Sequence, residues 1–225
     1  MQRFFDILFS SLALLALSPL LVPIAIVLRL TGEGEVFFKQ DRVGKGGQMF
    51  PLYKFATMLK NSPLIGTGTV TIKNDPRVLP VGHFLRKTKI NELPQLLNIL
   101  MGDMSVIGPR PQTRRCFDAF PPAAQQAIQQ VLPGLSGIGS IMFRDEENLL
   151  HGHADARHFY DDVVAPYKGA LEQWYVENQS LQTYFTLIGL TLWVVLFPKS
   201  TAVWHVFGGL PQPAPELAGK ICQAA

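Results

Sequence analysis

The sequence predicts an α-rich α+β fold held at a membrane. It has a broken apolar N-terminal helix, a small β-hairpin, and a body of helices and loops with interfacial helices. Three observations predict this. Residues 7–28 are 22 consecutive residues without a charge, enough to cross a hydrocarbon core as a helix. The stretch Val43-Gly44-Lys45-Gly46-Gly47-Gln48 is a turn signal between two short β-type runs, the mark of a hairpin. The composition is 48% apolar and 16% charged, against about 25% charged in an average globular chain.

The N-terminal run contains Leu17-Ser18-Pro19-Leu20-Leu21-Val22-Pro23. Two prolines four residues apart remove two backbone donors and disfavour a straight helix. A serine hydroxyl beside them can take up a released carbonyl. These residues fit either a kinked spanning helix or a re-entrant hairpin that enters and leaves on one face. The run is too long for a signal-peptide core, and no small-x-small cleavage site follows. Arg29, Lys39, Arg42, Lys45, Lys54 and Lys60 follow it, whereas Arg3 precedes it with Asp6 alongside. The positive-inside rule then places the body in the cytoplasm.

Residues 36–38 and 49–55 are read as the two strands of the hairpin, and residues 61–74 as a loop. Apolar positions 93, 96, 97 and 100 give a helix over about 93–101, with Pro94 confined to its first turn. Asn91 and Glu92 therefore stand at or beside a helix N-terminus, where Asn is well suited to capping. Residues 124–132 and 165–179 are further helices. Residues 181–197 form a second uncharged run of 17 residues, with Tyr184 and Trp193 as interface anchors. It fits a marginal span, an interfacial helix or a core helix. The resulting division is a membrane helix over 1–32, a cytoplasmic body over 33–180, an apolar membrane-associated helix over 181–200, and a loosely ordered tail over 201–225.

Charge is unevenly distributed. Residues 39–115 hold 13 Lys/Arg and 4 Asp/Glu, a net of +9, and residues 116–225 hold 5 and 10, a net of −5. A basic middle suits a polyanionic ligand: a nucleotide diphosphate, an anionic lipid or a nucleic acid. Nucleic acid is set aside, because the segment lacks interleaved aromatics and any recognised module. Cys116 and Cys222 build neither a disulfide framework nor a CxxC metal pattern.

Three motif blocks stand in order. The first is Phe38-Lys39-Gln40-Asp41-Arg42-Val43-Gly44 with Tyr53-Lys54-Phe55-Ala56-Thr57-Met58. The second is Asp75-Pro76-Arg77-Val78, then Gly82-His83-Phe84-Leu85-Arg86-Lys87-Thr88 and Asn91-Glu92-Leu93-Pro94-Gln95-Leu96. The third runs from Asn98-Ile99-Leu100-Met101-Gly102-Asp103 through Gly108-Pro109-Arg110-Pro111, with Pro133-Gly134-Leu135-Ser136-Gly137 beyond it. Together they resemble the monotopic phosphoglycosyl transferases of bacteria, over about residues 1–198. The resemblance implies a re-entrant helix broken at Ser18-Pro19 and a catalytic body on the cytoplasmic face of the bacterial inner membrane. It implies Mg²⁺, a UDP-sugar donor and a polyprenyl phosphate acceptor. In the family an Asp-Glu pair acts, the aspartate attacks the sugar-linked phosphorus, UMP leaves, and the lipid phosphate then takes the phosphosugar. Downstream glycosyltransferases are the natural partners of such a product.

The chemistry of the residues fits. A diphosphate donor needs cations, and Lys54, Arg86, Lys87 and Arg110 can supply them, Arg bidentately. The resemblance adds Gln40 and Arg42 to the substrate-binding set and makes Glu92 and the Asn91 position catalytic, with Lys54 and Arg110. The main departure is Asn91, where the family has its aspartate. A carboxamide has no anionic oxygen and is a poor nucleophile. Another carboxylate can attack, the lipid phosphate can displace UMP directly, or the chain is an inactive or trapped homologue that binds polyprenyl phosphate or partner enzymes. Ala56 also departs, since the family carries a cation there. Asp145 and Glu146, with Glu147, form an acidic cluster read either as a metal site or as a solvated turn, with His151 and His153 nearby.

Overall fold

The computed structural model describes residues 1–31, 33–65, 75–151, 155–219 and 221. The chain divides into two compact units. The first comprises Met1–Asp6, Arg42–Phe50 and Gly102–Ala225, and the second Ile7–Asp41 and Pro51–Met101. Helix α1 (Gln2–Leu30) and the β1–β2 hairpin contribute residues to both.

Helix α1 runs through both prolines, so Ser18-Pro19 does not interrupt it. Pro19 has no N–H for the carbonyl of Leu15, four residues back. The Ser18 hydroxyl donates to that carbonyl at 2.8 Å. The acceptor orphaned by the proline is thereby satisfied within the helix, which an apolar surrounding requires. Among the described residues, α1 is the one helix long and apolar enough to cross a membrane, and 6% of its apolar window is buried inside the protein.

Strands β1 (Phe37–Val43) and β2 (Met49–Phe55) form the hairpin. The Ala56 amide donates to the Val36 carbonyl at 2.9 Å and closes its open end. Strand β1 is longer than the expected 36–38. The cause is the turn: Gly46 and Gly47 take φ of 68° and 74°, which glycine adopts freely, and pairing continues to the tip. Gln40 and Arg42 therefore sit on a strand. Leu28 of α1, Phe55 of β2 and Leu85 pack as one core, with Leu21, Ile24 and Ile90 against it.

Beyond β2 the chain bridges Met58 to Val78. Arg77, buried, donates Nε to Asp75 Oδ1 at 2.9 Å and Nη2 to Asp75 Oδ2 at 2.6 Å. Its Nη1 reaches the carbonyls of Ser62 and Ile65 at 2.7 and 2.9 Å. The Asp75-Pro76-Arg77 motif is thus a structural clasp. Helix α2 (Pro80–Lys87) follows, with proline in its first turn, a start signal that the periodicity of so short a segment does not reveal. Helix α3 (Gln95–Met101) begins after Pro94. Its Asn98, fully buried, accepts from the Tyr53 amide at 3.0 Å and donates to the Pro51 carbonyl at 2.8 Å. One side-chain amide serves β2 as a neighbouring strand would.

In the first unit, β3 (Ser105–Ile107) pairs in parallel with β4 (Gly134–Ser136), Ser105 opposite Gly134 and Ile107 opposite Ser136. The approach is so close that a Cβ on Gly134 would lie 2.0 Å from the Gly108 amide nitrogen. Helices α4 (Arg114–Asp118) and α5 (Pro122–Ile128) connect the two strands. Then come α6 (Ile138–Met142), α7 (Glu146–His151), α8 (Ala156–Phe159), a π-helical segment Tyr160–Val164, and α9 (Ala165–Glu177). Helices α10 (Leu181–Leu196) and α11 (Ala202–Val206) complete the chain.

Helix α10 buries Tyr184, Leu187, Leu190 and Val194 at helical spacing and exposes Leu192, Val195 and Leu196. Pro198, four residues after Val194, has no N–H to offer that residue's carbonyl, and the Arg144 guanidinium donates to it. The start of α1 is tied in through Asp6, whose Oδ1 accepts from Ser105 Oγ, the Val106 amide and the Tyr184 hydroxyl at 2.8, 2.9 and 2.9 Å. In the segment read as a tail, Val203, Leu210, Leu217 and Ile221 are buried.

Candidate active site

The structure divides the sequence-selected residues between the units. Gln40, Lys54, Arg86, Lys87, Asn91 and Glu92, with Ser18 and Pro19, belong to the second, and Arg42, Arg110, Asp145 and Glu146 to the first.

In the second unit, α2 ends on Arg86 and Lys87, cations at a helix C-terminus. Arg86 is half-buried. Its acceptor among the described residues is the Met58 thioether, 3.7 Å from Nη1, a weak partner. No described carboxylate pairs with it, so its charge is available to an anion. Lys54 and Gln40 are half-buried on the hairpin.

The chain leaves α2 through Lys89, whose φ is +60°. Among the described residues it is the one non-glycine with positive φ, a conformation that crowds Cβ. It leads into a 3₁₀ turn, Ile90–Glu92. Asn91 lies inside that turn and is not its cap. The cap position is Lys89, and no side chain bonds there. The expected capping role of Asn91 is therefore corrected: Pro94 delays α3, and Asn91 is folded inward.

Asn91 is buried and its Oδ1 has no hydrogen-bond partner among the described residues. An unmet buried acceptor costs about 1–3 kcal/mol, and such atoms call for an explanation. The amide oxygen of Asn91 and the carboxylate of Glu92, the next residue, are both oxygen donors of the kind Mg²⁺ takes, the neutral amide being the weaker of the two.

In the first unit, Arg42 Nη1 donates to the Pro111 carbonyl at 3.3 Å, and the Val43 amide to the Gln112 carbonyl at 2.9 Å. Arg42 thus holds the segment that carries Arg110. The Arg110 amide donates to Glu172 Oε1 at 3.0 Å. Glu172 is fully buried, and desolvation pushes its carboxyl up to about 7. Lys168, one turn earlier and also buried, pairs with Glu146 Oε2 at 2.7 Å.

Glu172 and Lys168 were not among the sequence candidates. Their signal was present: they occupy the inward stripe of α9 with Ala165, Leu171 and Tyr175, where a charge is out of place.

The expected acidic metal site is otherwise engaged. Glu146 serves Lys168, and Asp145 Oδ1 accepts from Asn148 Nδ2 at 2.7 Å. Among the described residues, no three His, Cys, Asp or Glu gather as metal ligands. His153 and the side chains of Glu147 and His151 lie outside the described residues.

Comparison with known proteins gives a consistent picture. Residues 1–198 match the family model described as bacterial sugar transferase. The chain is 31% identical over 214 residues to the exopolysaccharide production protein ExoY of Sinorhizobium fredii, covering 89% of this chain and 87% of that one. It is 36% identical over 198 residues to the UDP-N-acetylgalactosamine-undecaprenyl-phosphate N-acetylgalactosaminephosphotransferase of Aeromonas hydrophila, covering 87% of this chain and 43% of that protein. It is 31% identical over 210 residues to the undecaprenyl-phosphate galactose phosphotransferase of Salmonella typhimurium, covering 87% and 40%. The chain thus spans less than half the length of the last two relatives.

Proposed function

The chain belongs to the bacterial sugar transferase family, and from that premise we propose that it is a membrane enzyme moving a phosphosugar from a UDP-sugar to polyprenyl phosphate. UMP is released, and the product opens the membrane stage of a glycan's assembly, exopolysaccharide or O-antigen among them. The observation that carries this reading is the family match over residues 1–198. The relatives' names support both substrates: both name undecaprenyl phosphate, the Aeromonas one also a UDP-sugar, and they differ in the sugar.

The roles follow from charge. In the second unit Lys54, Arg86 and Lys87 are cations suited to a donor diphosphate, and the first unit has Arg110 as a cation of its own. Phosphoryl transfer depends mainly on such positioning and charge stabilisation. Asn91 Oδ1 and Glu92 would hold Mg²⁺, which when bound neutralises charge on the diphosphate. Asn91 has no anionic oxygen, so no ester forms on it. A phosphate oxygen of the lipid attacks the sugar-linked phosphorus, the bond to the oxygen bridging to UMP breaks, and its electron pair leaves with UMP. Glu92 is the carboxylate that can attack first instead.

Re-entry of α1 is carried over from the family, and the Ser18–Leu15 bond is compatible with it, since it meets the carbonyl that Pro19 leaves without a donor inside lipid. The Lys/Arg excess after α1 supports a cytoplasmic body at the bacterial inner membrane. The exposed apolar side of α10 supports its lying in the interface.

The test is UMP release in native membranes from a panel of UDP-sugars with polyprenyl phosphate and Mg²⁺, for this chain and for Asn91→Asp and Glu92→Gln. Release by the unaltered chain, abolished by Glu92→Gln, supports the reading. Release by Asn91→Asp alone identifies a disabled homologue whose role is binding lipid phosphate or partner glycosyltransferases.

A further inference from the structure

We propose that Glu172 is the positioning residue for Arg110: one oxygen of its buried carboxylate accepts the Arg110 amide while packed against Gly139, and so fixes the turn that presents the Arg110 guanidinium to an anionic donor. The identity of that anion rests on the transferase reading, whereas the coupling of Glu172 to Arg110 does not.

The geometry joins three separate segments of the first unit. Glu172 Oε1 accepts from the Arg110 amide at 3.0 Å, and the same oxygen packs against the backbone of Gly139. Gly139 stands in the first turn of α6, where an amide has no partner within the helix. A Cβ on Gly139 would fall 2.2 Å from Oε1, so glycine is required for the carboxylate to come this close. Arg110 itself lies between Pro109 and Pro111, neither of which has an N–H. Its amide is therefore the donor of this stretch, whose Pro109 and Pro111 carbonyls accept from the Gly134 amide and from Arg42. Glu172 Oε2 is buried and has no partner among the described residues, which leaves Oε1 to do the holding.

The charge of the carboxylate matters to the hold. Hydrogen bonds to an ionised acceptor are roughly twice as strong as those to a neutral one. Glu172 changes charge near neutrality, raised to about 7 by burial and held down by Arg110, Lys168 and Gly139. The groups around it are few. Lys168 and Tyr175 lie on α9 itself, Arg110 faces it from the loop after β3, and Glu146 of α7 reaches it through Lys168. Helices α5 and α6 carry no titratable side chain. In the π-helical segment Tyr160 is buried, while Asp161 and Asp162 are paired outward with Arg115 and His158.

Two measurements test this. In the unaltered protein, selectively ¹⁵N-labelled at Arg and Gly, the Arg110 and Gly139 amide resonances should titrate together with one midpoint near 7. Independent titration, or none, overturns the proposal without any variant having to fold. The second measurement is the affinity for UDP-glucose and other UDP-sugars, whose diphosphate does not titrate near pH 7. From pH 6 to pH 8 affinity should rise about five-fold in the unaltered protein and stay flat in Glu172→Gln, which keeps an acceptor oxygen and loses the charge. The same five-fold rise in Glu172→Gln overturns the positioning role. Coupled amides together with binding that releases no UMP overturn the transferase reading alone.

Discussion

Glu172→Gln is expected to make the protein more stable above pH 7. Burial raises the Glu172 carboxyl from 4.5 to about 7, so the folded state holds this proton more tightly than the unfolded chain does. Such a group contributes stability in full below the unfolded value and loses it as pH rises through the folded one. A difference of about 2.5 units, at roughly 1.4 kcal/mol each, makes the loss about 3 kcal/mol between pH 4.5 and 7. Gln reproduces the neutral acid at every pH. The gap between variant and parent should therefore open as pH rises, reaching about 3 kcal/mol by pH 8, or about 6–12 °C in melting temperature for a chain of this size. Melting curves in one detergent at pH 5, 6, 7 and 8 read it directly. Parallel pH dependences for the two proteins would refute both the titration of Glu172 and the physical basis of its hold on Arg110.

Arg77→Ala should destabilise the protein by about 3–5 kcal/mol, because it strands the buried Asp75 carboxylate; equilibrium unfolding checks this. Gly82→Ala places a Cβ 2.2 Å from the Thr57 carbonyl oxygen, and the overpacking should cost about 1–3 kcal/mol in the same measurement. Lys89→Gly removes the crowding of a side chain at φ +60° and should raise stability by up to about 1 kcal/mol, read as a higher melting temperature. Asn91→Asp should tighten Mg²⁺ binding, measured by calorimetry, since it replaces a neutral oxygen donor by an anionic one.

A good part of the molecule was legible in the sequence, because its signals are local. The uncharged run of residues 7–28 required an apolar helix, and Ser18 beside Pro19 announced the hydroxyl-to-carbonyl bond that α1 makes. The glycine turn and its flanks placed the hairpin, and the ordered motifs led to the family. Helices α9 and α10 fall within two residues of their expected limits, because each is bounded by a proline or a polar stop.

The tertiary structure decided what depends on partners distant in the chain. Nothing local distinguishes an Asn that caps a helix from one folded into a 3₁₀ turn with its oxygen unmet. That outcome came from Pro94 delaying α3 and from Lys89 turning the chain. Arg77 and Arg110 look alike as cations in basic motifs, yet the Arg77 guanidinium closes a clasp on Asp75 and two carbonyls, and the Arg110 backbone amide is held by Glu172. The parallel pairing of β3 with β4 depends on glycines far apart in sequence, Gly108 and Gly134, meeting backbone to backbone. Glu172 is the sharpest case. Its place on the inward side of α9 is shown by its burial, and its charge near neutral pH depends on that burial. Desolvation is set by everything packed around a group, and a sequence shows only its neighbours along the chain.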